Sequence, residues 1–382
     1  MTDRLDPTAG GPLAGPRARI DAIDTGILDL LAERSALLAE VLATKQREGL
    51  PIFDPPREEA KVAAFRAAAA GRGLDPDWAE DFLRMVMGAS RARQSTGVFP
   101  QAAGGPRTVL LVGGRGRMGS LYAGILARSG HVVRVLDVGD WDRAEELAAG
   151  CDLAVVTVPI RETAAVIAQL APHLAPATLL ADFTSNKAGP VAAMLAAHPG
   201  PVLGLHPLHG PDVHNLAKQL MVVCPGRQPG AAAWLLEQCR LWGMRVAEME
   251  PARHDEGMHV VQGLRHFLAL LHGSFLTARG MRPQDMLELS SPIYRAELMM
   301  TGRIFAQNPE LYADIVFADQ ERRALLLDLL AHHGRLAELV RTDDKAGFVA
   351  EFRRVGAFFG DFAGQALAES SYLIHRLADR FA

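Results

Sequence analysis

The sequence predicts a multidomain protein of α and α/β type: an all-helical N-terminal domain, a doubly wound parallel-sheet domain, and an all-helical C-terminal domain. Three observations predict it. Apolar residues keep helical spacing from Arg17 to Gln46, and strand signals stop from Pro251 onward, where long amphipathic helices fill the chain. Between these parts, short continuously apolar runs alternate with helical stretches, the pattern of strands buried on both faces of a parallel sheet. The length, 382 residues, suits two or three domains at roughly 100–200 residues each.

The first helix carries Ile20, Ile23, Ile27, Leu30, Leu31, Leu37, Leu38 and Val41 at helical spacing, until GLPIFDPP at 49–56 breaks it. A second helix is expected from near Arg57 to the glycines of 71–73. A third starts at DPDW, with Asp75 as N-cap and Pro76 in the first helical position, and runs to about Gln94. A helix as long as the first buries its stripe best against a second copy, so a homodimer is expected. Residues 1–98 are taken as the first domain and 95–106, STGVFPQAAGGP, as a linker. Strands are expected at 108–113, 132–137, 153–158, 178–182 and 201–206, with a helix at 117–128. Further strands at 220–224 and 244–249 extend the sheet. The second domain is 107–250 and the third 251–382.

Bulk properties exclude several classes. The net charge of −4 offers no basic face for a phosphate backbone, so no nucleic-acid partner is expected. No apolar run approaches the ~20 residues that span a bilayer, so no membrane partner is expected. The opening MTDRLDPTAGGPLAGPR lacks the apolar core of a secretory signal, and a cytoplasmic location is expected. Cys151, Cys224 and Cys239 lie far apart, with no CxxC and no HExxH in the chain, so neither a disulfide framework nor a metal site is expected.

The segment GGRGRMGS, 113–120, carries Gly114, Gly116 and Gly119 in the GxGxxG spacing, with Arg117 and Met118 inside the turn. Alone the pattern is weak. Here it follows a strand, opens a helix, and precedes Asp137 at the end of the next strand, which is the context a dinucleotide site requires. Glycines let the backbone approach a pyrophosphate at the helix N-terminus, and Asp137 would accept from the adenosine ribose. An acid there disfavours a 2′-phosphate, so NAD is expected over NADP; Arg115 and Arg117 dilute that preference.

Open α/β sheets bind ligands beyond the carboxyl ends of their strands. DFTSNKAG, 182–189, puts Ser185 and Lys187 there, and LGLHPLHGPD, 203–212, puts His206 there. A histidine beside a nicotinamide can take the proton of an alcohol as hydride leaves its carbon; the competing reading is a histidine that only caps its strand. His209 reads as a loop residue. Farther on, SSPIYRAELMMTGRIFAQNP, 290–309, places Arg295 and Arg303 about 80° apart on a helix, and His254, Arg265 and His266 fall on another helix. Arginines pair bidentately with carboxylates, so an anionic alcohol is the expected substrate.

Taken together, GGRGRMG, the SxK segment, LGLHPLHGPD, LRHF and SSPIYR with GRIFAQ closely resemble prephenate dehydrogenases. The N-terminal helices resemble the all-helical, dimeric chorismate mutases, and the combination resembles the bifunctional fusion of the two. By that resemblance, the mutase site comprises Arg17, Arg34, Lys45, Asp54, Arg57, Glu58, Ser90 and Gln94, with Lys45 and Gln94 at the ether oxygen of chorismate and Arg17 serving the partner subunit. Spacing is compatible: Arg34 and Lys45 share a helix face, as do Ser90 and Gln94, whereas Arg17 is out of phase with Arg34 by roughly 100°. The resemblance further implies a homodimer, NAD, prephenate as second substrate, His206 as proton acceptor, Ser185 at the substrate hydroxyl, Arg303 as the leading carboxylate binder with Arg295 second, and tyrosine as a candidate feedback inhibitor. Two departures stand out: Pro16 precedes Arg17 where the family's helix has already begun, and His209 stands where the family often has an aromatic residue. The rival readings are an arogenate dehydrogenase, a dehydrogenase with a silent mutase-like module, and an unrelated hydroxyacid dehydrogenase, which would leave the mutase residues unexplained.

Gln94 is an amide and does not titrate. Mutase activity measured across pH is therefore expected to show no steep rise toward acid, and such a rise would remove Gln94 from the ether oxygen.

Overall fold

The computed structural model describes residues 12–94, 97–213 and 215–381. The reading of the N-terminal stretch falls largely on residues 1–11, and the linker includes 95–96; both lie outside the described residues. The chain divides into two compact units. One holds the N-terminal helices and the sheet, up to Thr157 with Val166–Phe183 and Ala193–Met249; the other holds Val158–Ala165, Thr184–Ala192 and the chain from Glu250 on.

In the first unit, α1 (Ala14–Arg47), α2 (Pro55–Ala70) and α3 (Pro76–Gln94) form where the apolar spacing places them. Pro16 sits inside the first turn of α1, where no backbone N–H is needed, so the helix begins ahead of Arg17. Asp54 caps α2 by accepting from Arg57 N at 3.2 Å, and Pro55 supplies the preset φ of a first helical residue. Val62 packs on Leu83 and Met87 to join α2 to α3. α1 buries none of its residues; Ile20, Ile23, Ile27, Leu30 and Leu37 are all exposed in the single chain.

The sheet comprises β1 (Thr108–Val112), β2 (Val132–Leu136), β3 (Leu153–Val156), β4 (Leu179–Asp182), β5 (Val202–Pro207), β6 (Leu220–Pro225) and β7 (Arg245–Glu248), in the order β2-β1-β3-β4-β5-β6-β7. Between them run α4 (Arg117–Arg128), α5 (Ala144–Ala148), α6 (Thr163–Leu170), α7 (Ala188–Ala197) and α8 (Ala233–Leu241). The first five strands are mutually parallel, as their unbroken apolar runs predict. The β5–β6 pair is antiparallel, with His206 opposite Val222. A parallel pair needs a crossover, usually a helix; among the described residues no helix intervenes between Pro207 and Leu220, and the pair is antiparallel.

The segment read as a linker is built into this unit. Phe99 and Ala102 are buried. The buried Gln238 side chain on α8 accepts from Ala102 N at 2.9 Å and donates to Pro100 O at 3.0 Å. Ile52, between α1 and α2, lies in the same core as the strands, Tyr122 and Trp242. Its N–H donates to Leu241 O at 3.1 Å.

The second unit is helical from Glu250 on: α9 (Pro251–Met258), a π-helical turn (His259–Leu264), α10 (Arg265–Ala278), α11 (Pro283–Glu288), α12 (Pro292–Gly302), α13 (Pro309–Val316), α14 (Gln320–Arg341), α15 (Lys345–Phe359) and α16 (Asp361–Phe381). Arg322 on α14 is fully buried against Gly263, where a Cβ would lie 2.7 Å from Arg322 Cδ. Among the described residues, no helix is long and apolar enough to cross a membrane.

Ile52→Ala would remove most of a buried side chain from the core of the first unit. It is expected to destabilise that unit by about 2–5 kcal/mol, read as a lower urea midpoint in sheet-sensitive circular dichroism. An unchanged midpoint would mean that the joint contributes nothing.

Candidate active sites

The candidate side chains fall into three groups, two in the first unit and one in the second. The first is cationic. Arg34 on α1 donates to Ser90 Oγ on α3 at 2.5 Å, and that hydroxyl donates to Val86 O at 2.7 Å. Lys45, eleven residues along α1 from Arg34, donates to Ile52 O at 2.7 Å. Burial pulls the Lys45 ammonium below its ordinary range; Asp54 opposes this, Arg57 adds to it, and Glu58 opposes it. Arg34 thus meets Ser90, Lys45 lies within electrostatic reach of Asp54, Arg57 and Glu58, and Lys61 senses Arg34, Arg57 and Glu58 together. Gln94, one turn beyond Ser90, is buried, and its Oε1 has no hydrogen-bond partner. Arg17 is exposed near the start of α1, roughly 25 Å along the helix from Arg34 at 1.5 Å per residue, so it does not join this cluster in its own chain.

Three residues of this cluster had escaped the sequence reading. Arg91 forms an ion pair with Glu58, both nearly buried. Lys61 is held below its ordinary range first by burial and then by Arg34 and Arg57. Lys218 lies 3.6 Å from Glu58 Oε2. Helical spacing offers a signal for Lys61, which follows Arg57 at i+4 and Glu58 at i+3, and Arg91 adjoins Ser90. Nothing in the sequence brings Lys218 to α2.

The second group lies where β1 turns into α4. Gly113 has φ +78° and its N–H donates to Leu136 O at 2.8 Å. A Cβ on Gly114 would sit 2.8 Å from Val135 Cγ1, and one on Gly119 would sit 2.6 Å from both Gly113 O and Gly114 Cα. Gly116 is the N-cap of α4 and offers no side chain to satisfy the first N–H groups, which Arg117 and Met118 begin. These N–H groups are available to an anion, and the glycines form a cradle that any side chain would fill. The chain order β2-β1-β3 reverses direction beside this loop, the place where such sheets take dinucleotides. At the end of β2, Asp137 accepts from Arg115 N and from Val138 N, each at 3.0 Å, which orients its carboxylate and leaves acceptor capacity. The Arg115 guanidinium is tied to Asp140 at 2.8 Å, and Arg117 pairs with Asp212. Both arginines thus have carboxylate partners within the unit, which weakens their dilution of the NAD preference.

His206 is the penultimate residue of β5, buried at 3% exposure. It is a strand residue whose position is fixed by pairing with β6, not a loop residue. His209, unexplained by the sequence, stacks on Tyr122, and its Nε2 lies 3.0 Å from the Tyr122 hydroxyl. With the Asp212–Arg117 pair, it fastens the loop after β5 to α4. Burial holds the His209 imidazole below its ordinary range, partly offset by Gly210 O.

The third group is in the helical unit. Arg295 lies on α12, whereas Arg303 begins a 3-10 turn after α12 ends at Gly302. The angular offset expected for one continuous helix therefore does not apply. Arg303 is exposed and, with Arg265, acts on the Tyr312 hydroxyl, which burial raises and the two cations lower. His266 packs edge-on to Tyr312 with centroids 4.8 Å apart; burial, then Arg265 and Arg322, push its imidazole down to about 4. In the same unit, Ser185 is half-buried. The neighbouring Lys187 and Ala188 N–H groups donate to Asp255 at 2.7 and 2.8 Å. Burial works to raise the Asp255 carboxyl, but the His254 hydrogen bond and these N–H groups hold it below its usual range.

Comparison with known proteins agrees with this division. Residues 16–95 match the family model for chorismate mutase type II, 124–247 that for the nucleotide-binding domain of prephenate dehydrogenase, and 250–354 that for its dimerization domain. The chain is 44% identical over 367 residues to the T-protein of Enterobacter agglomerans, covering 96% of this chain and 98% of that one. It is 39% identical to the T-protein of Haemophilus influenzae, covering 95% and 96%. Among solved structures, prephenate dehydrogenase from A. aeolicus in complex with hydroxyphenyl propionate and NAD+ aligns with a TM-score of 0.55 at 19% identity, covering 68% of this chain and 99% of that one. At that identity the likeness speaks for the fold alone.

Gly119→Ala is expected to weaken dinucleotide binding more than about tenfold, roughly 1.4 kcal/mol, in a fluorescence titration of the full chain. Unchanged affinity would mean that the cradle is not the site.

Proposed function

This chain belongs to the T-protein family, and we propose a division of labour among its residues for the family's two reactions in tyrosine biosynthesis. These are the rearrangement of chorismate to prephenate and the NAD-dependent oxidative decarboxylation of prephenate to 4-hydroxyphenylpyruvate. The observation that carries the assignment is that one unit holds both a cluster of cations, with Arg34 on Ser90 and Lys45 within electrostatic reach of Asp54, Arg57 and Glu58, and a glycine cradle. Working boundaries are 1–98 for the mutase, 107–250 for the nucleotide-binding domain and 251–382 for the helical domain. The enzyme is read as a homodimer, in keeping with the dimerization-domain match and the uncovered stripe of α1. A cytoplasmic location accords with its NAD-linked chemistry and three free thiols.

In the mutase, Arg34, Arg57 and the partner's copy of Arg17 hold the chorismate carboxylates, while Asp54, Glu58 and Ser90 fix the rest of the pocket. Lys45 and Gln94 donate to the ether oxygen as its bond breaks. No covalent step is needed: the site selects the reactive conformer and stabilises charge that grows in the transition state.

In the dehydrogenase, NAD+ bound at Gly114, Gly116, Arg117, Met118 and Gly119, with Asp137 at its ribose, supplies the hydride acceptor. His206 accepts a hydrogen bond from the ring hydroxyl of prephenate and withdraws its proton as the hydride leaves the same carbon. Ser185 hydrogen-bonds that hydroxyl. Arg303, with Arg295 as second, binds substrate carboxylate. The ring carboxylate departs as CO2, and the electron pair it leaves makes the ring aromatic.

Two results test these roles. His206→Asn should lower the rate of prephenate-dependent NADH formation by about 10²–10⁴ with KM for prephenate nearly unchanged, whereas Arg303→Ala should mainly raise KM. A large KM increase in His206→Asn would remove the proton-acceptor role. For the mutase, Lys45 must be an ammonium ion to donate, and its titration lies below the ordinary 10.5. Activity should therefore be full at neutral pH and fall as pH rises through that lowered value, while Lys45→Arg should carry the alkaline limb out of range. An identical limb in Lys45→Arg would assign it to another group.

A further inference from the structure

The loop before β6 belongs to the nucleotide-binding domain by sequence, yet it ends beside the mutase cluster. Lys218 Nζ stands 3.6 Å from Glu58 Oε2. Arg91 pairs with the other oxygen, Oε1. Glu58 Oε2 is shielded from solvent and has no hydrogen-bond donor, so it is an acceptor held ready inside a ring of charge that also includes Lys45 and Lys61.

Lys218 does not reach Glu58 by a loose side chain on a loose loop. Its backbone sits at φ +69°, in the left-handed region, which side-chain-bearing residues adopt at a cost and seldom keep without a reason. Its N–H donates to Gly243 O at 2.9 Å. Gly243 is itself at φ +84°, and a Cβ there would lie 2.9 Å from Phe53 Cβ. The Phe53 ring lies beneath both cations, with Lys218 Nζ 5.0 Å and Arg91 Cζ 5.8 Å from its centroid. Two cations on one aromatic ring thus grip the two oxygens of one carboxylate.

We propose that Lys218, a residue of the nucleotide-binding domain, is a positioning residue of the chorismate mutase: with Arg91 it fixes the Glu58 carboxylate so that Oε2 can accept a hydrogen bond from substrate. An exposed ion pair alone contributes little, but this one aims a buried acceptor, so its effect belongs in substrate binding more than in stability. The mutase pocket is then incomplete without the domain that follows it in the chain. The proposal rests on the reading of Glu58 as a mutase residue.

The test is a double-mutant cycle on the full-length enzyme, with chorismate disappearance as the assay. Lys218→Met is expected to raise KM for chorismate roughly three- to tenfold with kcat changed less than about twofold, and Lys218→Arg should return KM to near the parent value. Lys218→Gln, equally uncharged, should repeat the effect of Lys218→Met, and thermal melts of each variant report folding. In a Glu58→Gln background, Lys218→Met should add nothing. The same KM factor in both backgrounds, or an unchanged KM in Lys218→Met and Lys218→Gln, overturns the proposal while leaving Glu58 in the site. Parent-like kinetics in Glu58→Gln alone would instead remove Glu58 from the mutase and the proposal with it.

Discussion

The backbone of Ile52 is bonded on both sides. Its N–H donates to Leu241 at the end of α8, and the Ile52 carbonyl accepts from Lys45 of α1. The side chain between them is buried among strands of the sheet. A short apolar segment thus serves as a plug in one domain and as a rest for a charged side chain in the other. Without it, the Lys45 ammonium would lose a fixed acceptor, and the helices that carry Arg34 and Ser90 would lose one of their ties to the sheet. The order of Lys45 therefore depends in part on hydrophobic burial some residues away.

At the glycine loop, backbone sterics do comparable work. Gly114 and Gly119 have no room for a Cβ against Val135 and against the loop itself, so the turn packs closely, while Gly113, Arg115 and Gly116 donate inward to Leu136 O, Asp137 and Gly113 O. The loop after β5 is then fastened to the same helix by His209 on Tyr122 and by Asp212 on Arg117. A half-buried imidazole of lowered basicity suits that position: it lies against an aromatic ring and needs no counter-ion.

Much of this was legible in the sequence because it is written in short-range patterns. The start of α4 at Arg117, the parallel strands from Thr108 to Pro207 and the start of α3 at Pro76, with Asp75 accepting from Asp77 N, follow from periodicity and from individual side chains that can do one job well. The set Arg34, Lys45, Asp54, Arg57, Glu58 and Ser90 was chosen by resemblance and is found clustered. What escaped was long-range. The β5–β6 reversal depends on a connection with no helix, and strand patterns do not state direction. The 95–106 stretch has a linker's composition, yet Gln238, far along the chain, pins its backbone. Arg303 falls just past the end of α12 because the helix tightens to a 3-10 turn there, a change that spacing cannot register. Lys218 was invisible for the same reason as Gln238: its partner is remote in sequence.

The cysteines have a further consequence. Cys151, Cys224 and Cys239 are all the cysteines of the chain, all are buried, and all lie in the unit that contains the sheet. Burial pushes the Cys239 thiol up to about 12 and raises Cys151 as well, so thiolate is scarce while the sheet is closed. The helical unit from Glu250 on contributes no thiol at all. Reaction with a small alkylating reagent is thus a clock for transient opening of one half of the molecule, silent to motion in the other, and it needs no label to be introduced.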